Sequence, residues 1–226
     1  MKPPVFTYHR PTSVSEALDM LAAFKDAKIL AGGQSLMPMM NFRYVLPDHV
    51  IDINRIPEIA NIEETGDGLR FGAMVRHNQA KNSRSVVEKC PLISCGLEFV
   101  AHVQIRNRGT IGGSVSHLDP SAEWPALLAV HDAVLHVQSK GANRDVPIAE
   151  WSMGYMTPNM EEGEMLTGIS LQTWPAGHSY GFAELARRKG DFALAGAAVL
   201  LNFVGDKIDR AAIALMGVDT GPVRLP

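Results

Sequence analysis

Two short loops hold the residues of this 226-residue chain best suited to chemistry. Ala31-Gly32-Gly33-Gln34-Ser35 follows the apolar pair Ile29-Leu30. Thr110-Ile111-Gly112-Gly113-Ser114 lies about 80 residues further on. Adjacent glycines let the backbone reach positive φ and let a bulky anion approach with no Cβ in the way. Successive N–H groups in such a turn form an anion-binding nest. Two such loops suggest two grips on one diphosphate, as a dinucleotide with a pyrophosphate bridge requires. Neither loop contains Gly-x-Gly-x-x-Gly or the P-loop Gly-Lys-Ser/Thr, so neither a Rossmann site nor a P-loop is expected. One such loop alone also reads as a simple tight turn.

Other chemistry is poorly provided for. Cys90 and Cys95 are the only cysteines. Iron–sulfur clusters usually take four cysteine ligands, and this spacing matches no zinc knuckle. The eight histidines form no His-x-x-x-His or His-Glu-x-x-His pattern, so no metal site is expected. The net charge of −3 points away from nucleic acid. The first residues lack the apolar stretch of a signal peptide, and no apolar run is long enough to span a bilayer. A cytoplasmic location is the default expectation. At 46% hydrophobic and 20% charged residues, the composition is that of a globular chain with a sizeable core.

The elements that must position the loops read as mixed α and β. Ser13-Val14-Ser15-Glu16 is a capping-box sequence. Val14, Ala17, Leu18, Leu21 and Ala22 recur at helical spacing behind it, predicting a helix from 14 toward 25. Residues 28–30 form a short strand that delivers the first loop, and 50–53 a second. Pro57 marks a subdomain boundary. Residues 61–63 and 69–71 flank Gly66-Asp67-Gly68 as a hairpin. A helix is expected over 92–102, then a polar run, 104–108, into the second loop. Ser121 is a candidate cap for a helix containing residues 126–130. Strands are expected over 133–138, 165–171 and 211–218, the last with no obvious packing partner after it. The small apolar run 193–203 fits a helix or a buried strand equally.

The two loops and five further motifs carry a resemblance that spans essentially the whole chain. Phe6-Thr7-Tyr8-His9-Arg10-Pro11, Ala31-Gly32-Gly33-Gln34-Ser35-Leu36-Met37-Pro38, Asp52-Ile53, Phe71-Gly72-Ala73, Ile105-Arg106-Asn107-Arg108-Gly109, Thr110-Ile111-Gly112-Gly113-Ser114 and Arg187-Arg188-Lys189-Gly190-Asp191 stand in the matching order. The chain resembles the FAD-binding medium subunit of the molybdenum hydroxylase family, which includes carbon monoxide dehydrogenase medium chains and xanthine dehydrogenase flavin domains. The resemblance implies an α+β, two-lobed FAD-binding fold of the vanillyl-alcohol oxidase (PCMH) class, with FAD between the lobes. The implied division is 1–57, 58–175 and a partial small C-terminal α/β lobe at 176–226, since family members continue beyond the position of Pro226.

The resemblance also implies roles. Ala31, Gly32, Gly33, Gln34, Ser35 and Leu36 would wrap the pyrophosphate. Gly112, Gly113 and Ser114 would close its other side, with Thr110 bonding a phosphate or ribitol oxygen. Glu123 aligns with an acidic residue on the adenosine ribose. His117 and Asp119 fall where relatives place polar contacts toward the flavin, although His117 fits a local turn equally. Leu166 would pack near the adenine or ring system, Phe192 beside the isoalloxazine, and Lys189 near an anionic group. No residue is expected to act as a proton-transfer catalyst. The implied function is an electron relay. FAD would sit here, with molybdopterin in a large partner subunit and [2Fe–2S] clusters in a small one, in a complex of paired heterotrimers passing electrons to an external acceptor. Two alternatives remain at this point. One is a stand-alone flavin oxidase of the same fold, with His77, His102, Cys90 or Cys95 available for a covalent flavin. The other is a nucleotide-binding module without redox work.

Overall fold

The computed structural model describes residues 1–226. The first stretch builds a small parallel sheet from β1 (Thr7–His9), β2 (Ala27–Leu30) and β3 (His49–Asp52), with β3 central. Between β1 and β2 runs α1 (Val14–Ala23), and after the first glycine loop comes α2 (Leu36–Asn41). The α1 cap forms as the sequence suggests. Ser13 Oγ accepts from the Glu16 N–H at 3.1 Å, while the Glu16 carboxylate accepts from the Thr12 N–H at 2.7 Å. Ala17 and Leu18 of α1 join Ile51, Ile53, Ile56, Ile59, Met74 and Met165 in a small core of their own.

A five-stranded antiparallel sheet follows, built from β4 (Ile62–Thr65), β5 (Gly68–Gly72), β6 (Val134–Ser139), β7 (Ala142–Pro147) and β10 (Met165–Gln172), in the order β4-β5-β10-β6-β7. Between β5 and β6 lie α3 (His77–Asn82), α4 (Arg84–Lys89), α5 (Pro91–Gly96), α6 (Val103–Arg106), α7 (Ile111–His117) and α8 (Glu123–Val130). A minor pair, β8 (Ser152–Gly154) and β9 (Thr157–Pro158), precedes β10. The last sheet is antiparallel, with β11 (Ser179–Ala186), β12 (Ala193–Val204), β13 (Lys207–Met216) and β14 (Val223–Arg224) in sequential order. Every residue of α8 from Trp124 to Val130 is buried, as expected of a helix apolar on all sides. One core joins α8 to Phe71 and Ile169 of the second sheet and to Ala198, Leu200 and Met216 of the third.

Several expectations are corrected. The helix expected over 92–102 stops at Gly96. Ala101 adopts φ 38°, and Arg106 Nη1 donates to the Val100 and Ala101 carbonyls at 2.8 Å each. Those carbonyls are thereby held outside any continuing helix. Ser121 does not cap α8, since Ala122 is its N-cap and Ser121 Oγ donates to the Ala193 carbonyl at 2.9 Å. Residues 193–204 are a strand, because β11 and β13 pair with it on both sides. The strand ending at Met216 does find a later partner in Val223–Arg224. Residues 111–117 are a helix rather than an open loop.

Candidate functional site

A cleft of about 960 Å³ opens between the first glycine loop and the second sheet's helices, at the large end of small-molecule sites, which run to roughly 1,000 Å³. Ala31, Gly32, Gly33, Gln34, Ser35 and Leu36 line it, as do Thr110, Gly112, Gly113, Ser114, His117, Asp119, Glu123, Leu166 and Phe192. Lys189 is not among the lining residues, although the adjoining Gly190 and Asp191 are. The 187–191 run folds on itself, with Arg188 Nε 3.0 Å from Asp191 Oδ2 and Gly190 at φ 86° against the His102 ring. Phe192 is 75% exposed at the cleft mouth.

The two loops touch. A Cβ on Gly32 would stand 2.5 Å from the Arg108 carbonyl oxygen and 2.7 Å from Gly109 Cα, and one on Gly113 would stand 3.7 Å from Ala31 Cβ. Gly33 takes φ 74°, which favours glycine. Through 31–36 the backbone N–H groups donate to no acceptor within the protein. An unpaired backbone donor shielded from water is costly, and Gly32 is buried. All six residues line the cleft, and a run of unpaired donors there suits an anionic ligand with several oxygens.

The second loop works differently from the expected nest. Its N–H groups are already used: Ile111 donates to Val75 O at 3.0 Å, Gly112 to Ala73 O at 2.8 Å, Gly113 to Thr110 Oγ1 at 3.0 Å and Ser114 to Thr110 O at 3.0 Å. The glycine pair here serves close packing, since a Cβ on Gly112 would meet Ala73 Cβ at 2.5 Å. Thr110 accepts as the α7 cap, which leaves its hydroxyl proton available to a ligand.

A half-buried polar network, unread in the sequence, fixes the first loop. Asn54 Nδ2 donates to the Ala31 carbonyl at 2.8 Å, and Asn54 Oδ1 accepts from Arg76 Nη2. Arg76 Nη1 donates to the Arg108 carbonyl, so one guanidinium ties both loops. Asp52 accepts from the Tyr8 hydroxyl and from Asn54. Burial alone would raise the Asp52 carboxyl, but these hydrogen bonds outweigh it and hold it below its ordinary value. Asn54→Ala removes the link to Ala31 and strands Arg76. A hydrogen bond to a charged group such as Arg76 is worth about 1.5–3 kcal/mol, which corresponds to roughly tenfold to hundredfold in dissociation constant. Titration of the purified variant with FAD, read by flavin fluorescence, should show that loss. An unchanged affinity would remove Asn54 from the site's support.

Beneath the second loop, Trp124 Nε1 donates to His77 Nδ1 at 2.8 Å, and a Cβ on Gly109 would stand 2.6 Å from the His77 ring. Burial, with Arg76 and Arg106 nearby, lowers His77 to about 4, so the ring is neutral. His117 is likewise lowered by burial against the opposing pull of Asp119. Asp119 Oδ1 accepts from the Ser121 N–H at 2.9 Å, an Asx turn that occupies one of its oxygens. Burial pushes the Glu123 carboxyl up to about 7, helped by Glu184 and Asp119. Burial pushes the Cys90 thiol up to about 12, and both cysteines are free. No three His, Cys, Asp or Glu side chains gather as metal ligands, and no helix is long and apolar enough to cross a membrane.

Comparison with known proteins agrees with this geometry. Residues 4–174 match the family model described as the FAD binding domain in molybdopterin dehydrogenase. Residues 180–226 match the CO dehydrogenase flavoprotein C-terminal domain. The chain is 40% identical to the 6-hydroxypseudooxynicotine dehydrogenase complex subunit alpha of Paenarthrobacter nicotinovorans, over 99% of this chain and 76% of that one. It is 39% identical to the carbon monoxide dehydrogenase medium chain of Hydrogenophaga pseudoflava, over 96% and 76%. The solved carbon monoxide dehydrogenase of Hydrogenophaga pseudoflava superposes with a TM-score of 0.97 at 39% identity, over 99% of this chain and 78% of that one. Quinoline 2-oxidoreductase of Pseudomonas putida 86 superposes with a TM-score of 0.95 at 37% identity, over 99% and 78%.

Proposed function

Since the chain belongs to the FAD-binding medium subunits of the molybdenum hydroxylases, we propose that it holds one non-covalent FAD as an electron relay. In this reading the subunit takes electrons from [2Fe–2S] clusters of a small subunit. It passes them to an external acceptor, while a large molybdopterin subunit oxidises the substrate. Bound FAD supplies the redox chemistry, storing electrons in pairs and releasing them singly. The chain's own residues bind and orient it.

The observation that carries the reading is the run of unpaired N–H donors at 31–36. It matches the many oxygens of a pyrophosphate. The Thr110 and Ser114 hydroxyls would add hydrogen bonds from the facing loop, and Glu123 would accept from the ribose. Leu166 and Phe192 would bound the rings. His117 and Asp119 would give polar contacts, while the lobes 1–57, 58–175 and 176–226 enclose the cofactor. Two of the four side chains considered for a covalent linkage are poorly placed for one. Cys90 is buried with its thiol raised, and the His77 Nδ1 is occupied by Trp124.

The test is a visible absorption spectrum of the purified chain, with FAD added if it is colourless, before and after acid precipitation. A flavin spectrum whose colour moves to the supernatant is the expected result. Colour retained in the pellet would mean a covalent flavin, and no flavin on a folded chain would remove the redox role.

A further inference from the structure

The solvent face of the five-stranded sheet carries a second chemical arrangement, separate from the cleft. The neighbouring residues Ile169, Leu135 and Val146 point into the core. Ser170, His136 and Asp145 therefore stand on the opposite face of β10, β6 and β7. His136 Nδ1 lies 2.7 Å from Asp145 Oδ1, and His136 Nε2 lies 2.7 Å from Ser170 Oγ. A carboxylate can only accept, so His136 Nδ1 must carry a proton. In the neutral ring Nε2 is then bare, and the Ser170 hydroxyl must donate to it. The serine proton is thus already directed at a base whose tautomer is fixed by a carboxylate.

The electrophilic side is also provided. Arg70 stands directly across from Ser170 in the β5–β10 register. Between Arg70 and His136 lies Gly168, where even a Cβ would keep 3.6 Å from Arg70 Nε and 3.6 Å from His136 Cδ2. The missing side chain leaves a floor flanked by a guanidinium and an imidazole. A polar cavity of about 300 Å³ shares Arg70 as a wall, with Glu58, Glu63, Thr167 and Gln138 also lining it. Nucleophile, base, orienting carboxylate and a cation for a developing oxyanion therefore sit side by side, the set that acyl transfer needs.

We propose that Ser170 is an activated nucleophile that takes acyl groups from small activated esters. Ser170 Oγ attacks the ester carbonyl carbon as its proton passes to His136 Nε2, and the carbonyl oxygen gains its negative charge beside Arg70. The bond to the leaving alcohol then breaks, and the proton on His136 goes to the departing oxygen. Water repeats the sequence on acyl-Ser170 and releases the carboxylic acid. Asp145 keeps the ring oriented and offsets its transient positive charge.

The probe is 4-nitrophenyl acetate, added to the full chain loaded with FAD. Release of 4-nitrophenolate is followed by absorbance, and acetylated peptides are located by mass spectrometry. One acetyl group on Ser170 is expected, absent in Ser170→Ala. His136→Ala and His136→Gln should slow acetylation by about 10²–10⁴-fold, the usual contribution of a positioned base. Retention of the FAD spectrum shows that each variant is folded. Acetylation confined to lysines, or acetylation of Ser170 at the native rate in the folded His136 variants, would overturn the proposal.

Discussion

Gly32→Ala is expected to abolish FAD retention, with affinity falling by more than about a hundredfold, a loss beyond roughly 2.7 kcal/mol. The new methyl would stand 2.5 Å from the Arg108 carbonyl oxygen and 2.7 Å from Gly109 Cα. Both are backbone atoms, so neither can rotate away, and the loops must separate. Separation would also break the bridge that Arg76 makes between Asn54 and Arg108. Gly33→Ala is the informative contrast. There the nearest atoms are the side-chain carbons Leu30 Cδ1 at 3.1 Å and Met37 Cγ at 3.4 Å, which can yield. Its cost is mainly conformational, because φ 74° places an alanine in the left-handed region at about 1–2 kcal/mol. A loss near tenfold is therefore expected for Gly33→Ala. Flavin fluorescence titration gives both affinities, and circular dichroism shows whether the chain stays folded. A folded Gly32→Ala protein that binds FAD within a few-fold of the parent would mean that contact between the loops does not shape the site.

The contrast between these glycines also marks how far the sequence could be read. Local signals were legible. The cap on α1, the strand before the first loop and the hairpin around Gly66-Asp67 all follow from residues a few positions apart. Adjacent glycines read as room for an anion, whereas at both loops the structure also packs protein atoms against them. What they approach was not legible. Gly112 yields to Ala73, and the N–H groups of α7 go to Ala73, Val75 and Thr110, so a motif that reads as an anion nest is largely a packing motif. Asn54 and Arg76 carry no local pattern, since their partners at Ala31 and Arg108 are more than twenty residues away. The run 193–204 stayed ambiguous because small apolar residues suit either state, and only the strands on both sides decide it. Of the residues assigned by resemblance, Lys189 alone falls outside the cleft. It sits in a charged turn where Arg188 pairs with Asp191, beside Gly190 and Asp191, which do line the cleft.

Affinity for FAD is expected to fall as the solution is acidified through neutrality, and Glu123 is the reason. The residue opens α8 and lines the cleft. Burial, aided by Glu184 and Asp119, raises its carboxyl to about 7 before any ligand is present. Ribose hydroxyls donate hydrogen bonds, and a carboxylate accepts them better than a carboxylic acid does. Binding would therefore favour the ionised form and lower the carboxyl from its value in the free protein. The sign follows directly. Full affinity is present above about pH 7 and is lost as pH falls through that value. The dissociation constant should rise by up to about tenfold per pH unit, flattening once the carboxyl of the complex also protonates. His117 is lowered by burial, so it gains its charge at lower pH than an ordinary histidine. Glu123→Gln should flatten the profile between about pH 6 and 8, where the raised carboxyl otherwise titrates, while binding about tenfold more weakly at the alkaline end. Fluorescence titrations at a series of pH values, run on both proteins, decide the matter. A parent protein whose affinity is level across neutrality would place the ribose away from Glu123. A glutamine variant that keeps the parent's slope would assign the titration to another group in the cleft.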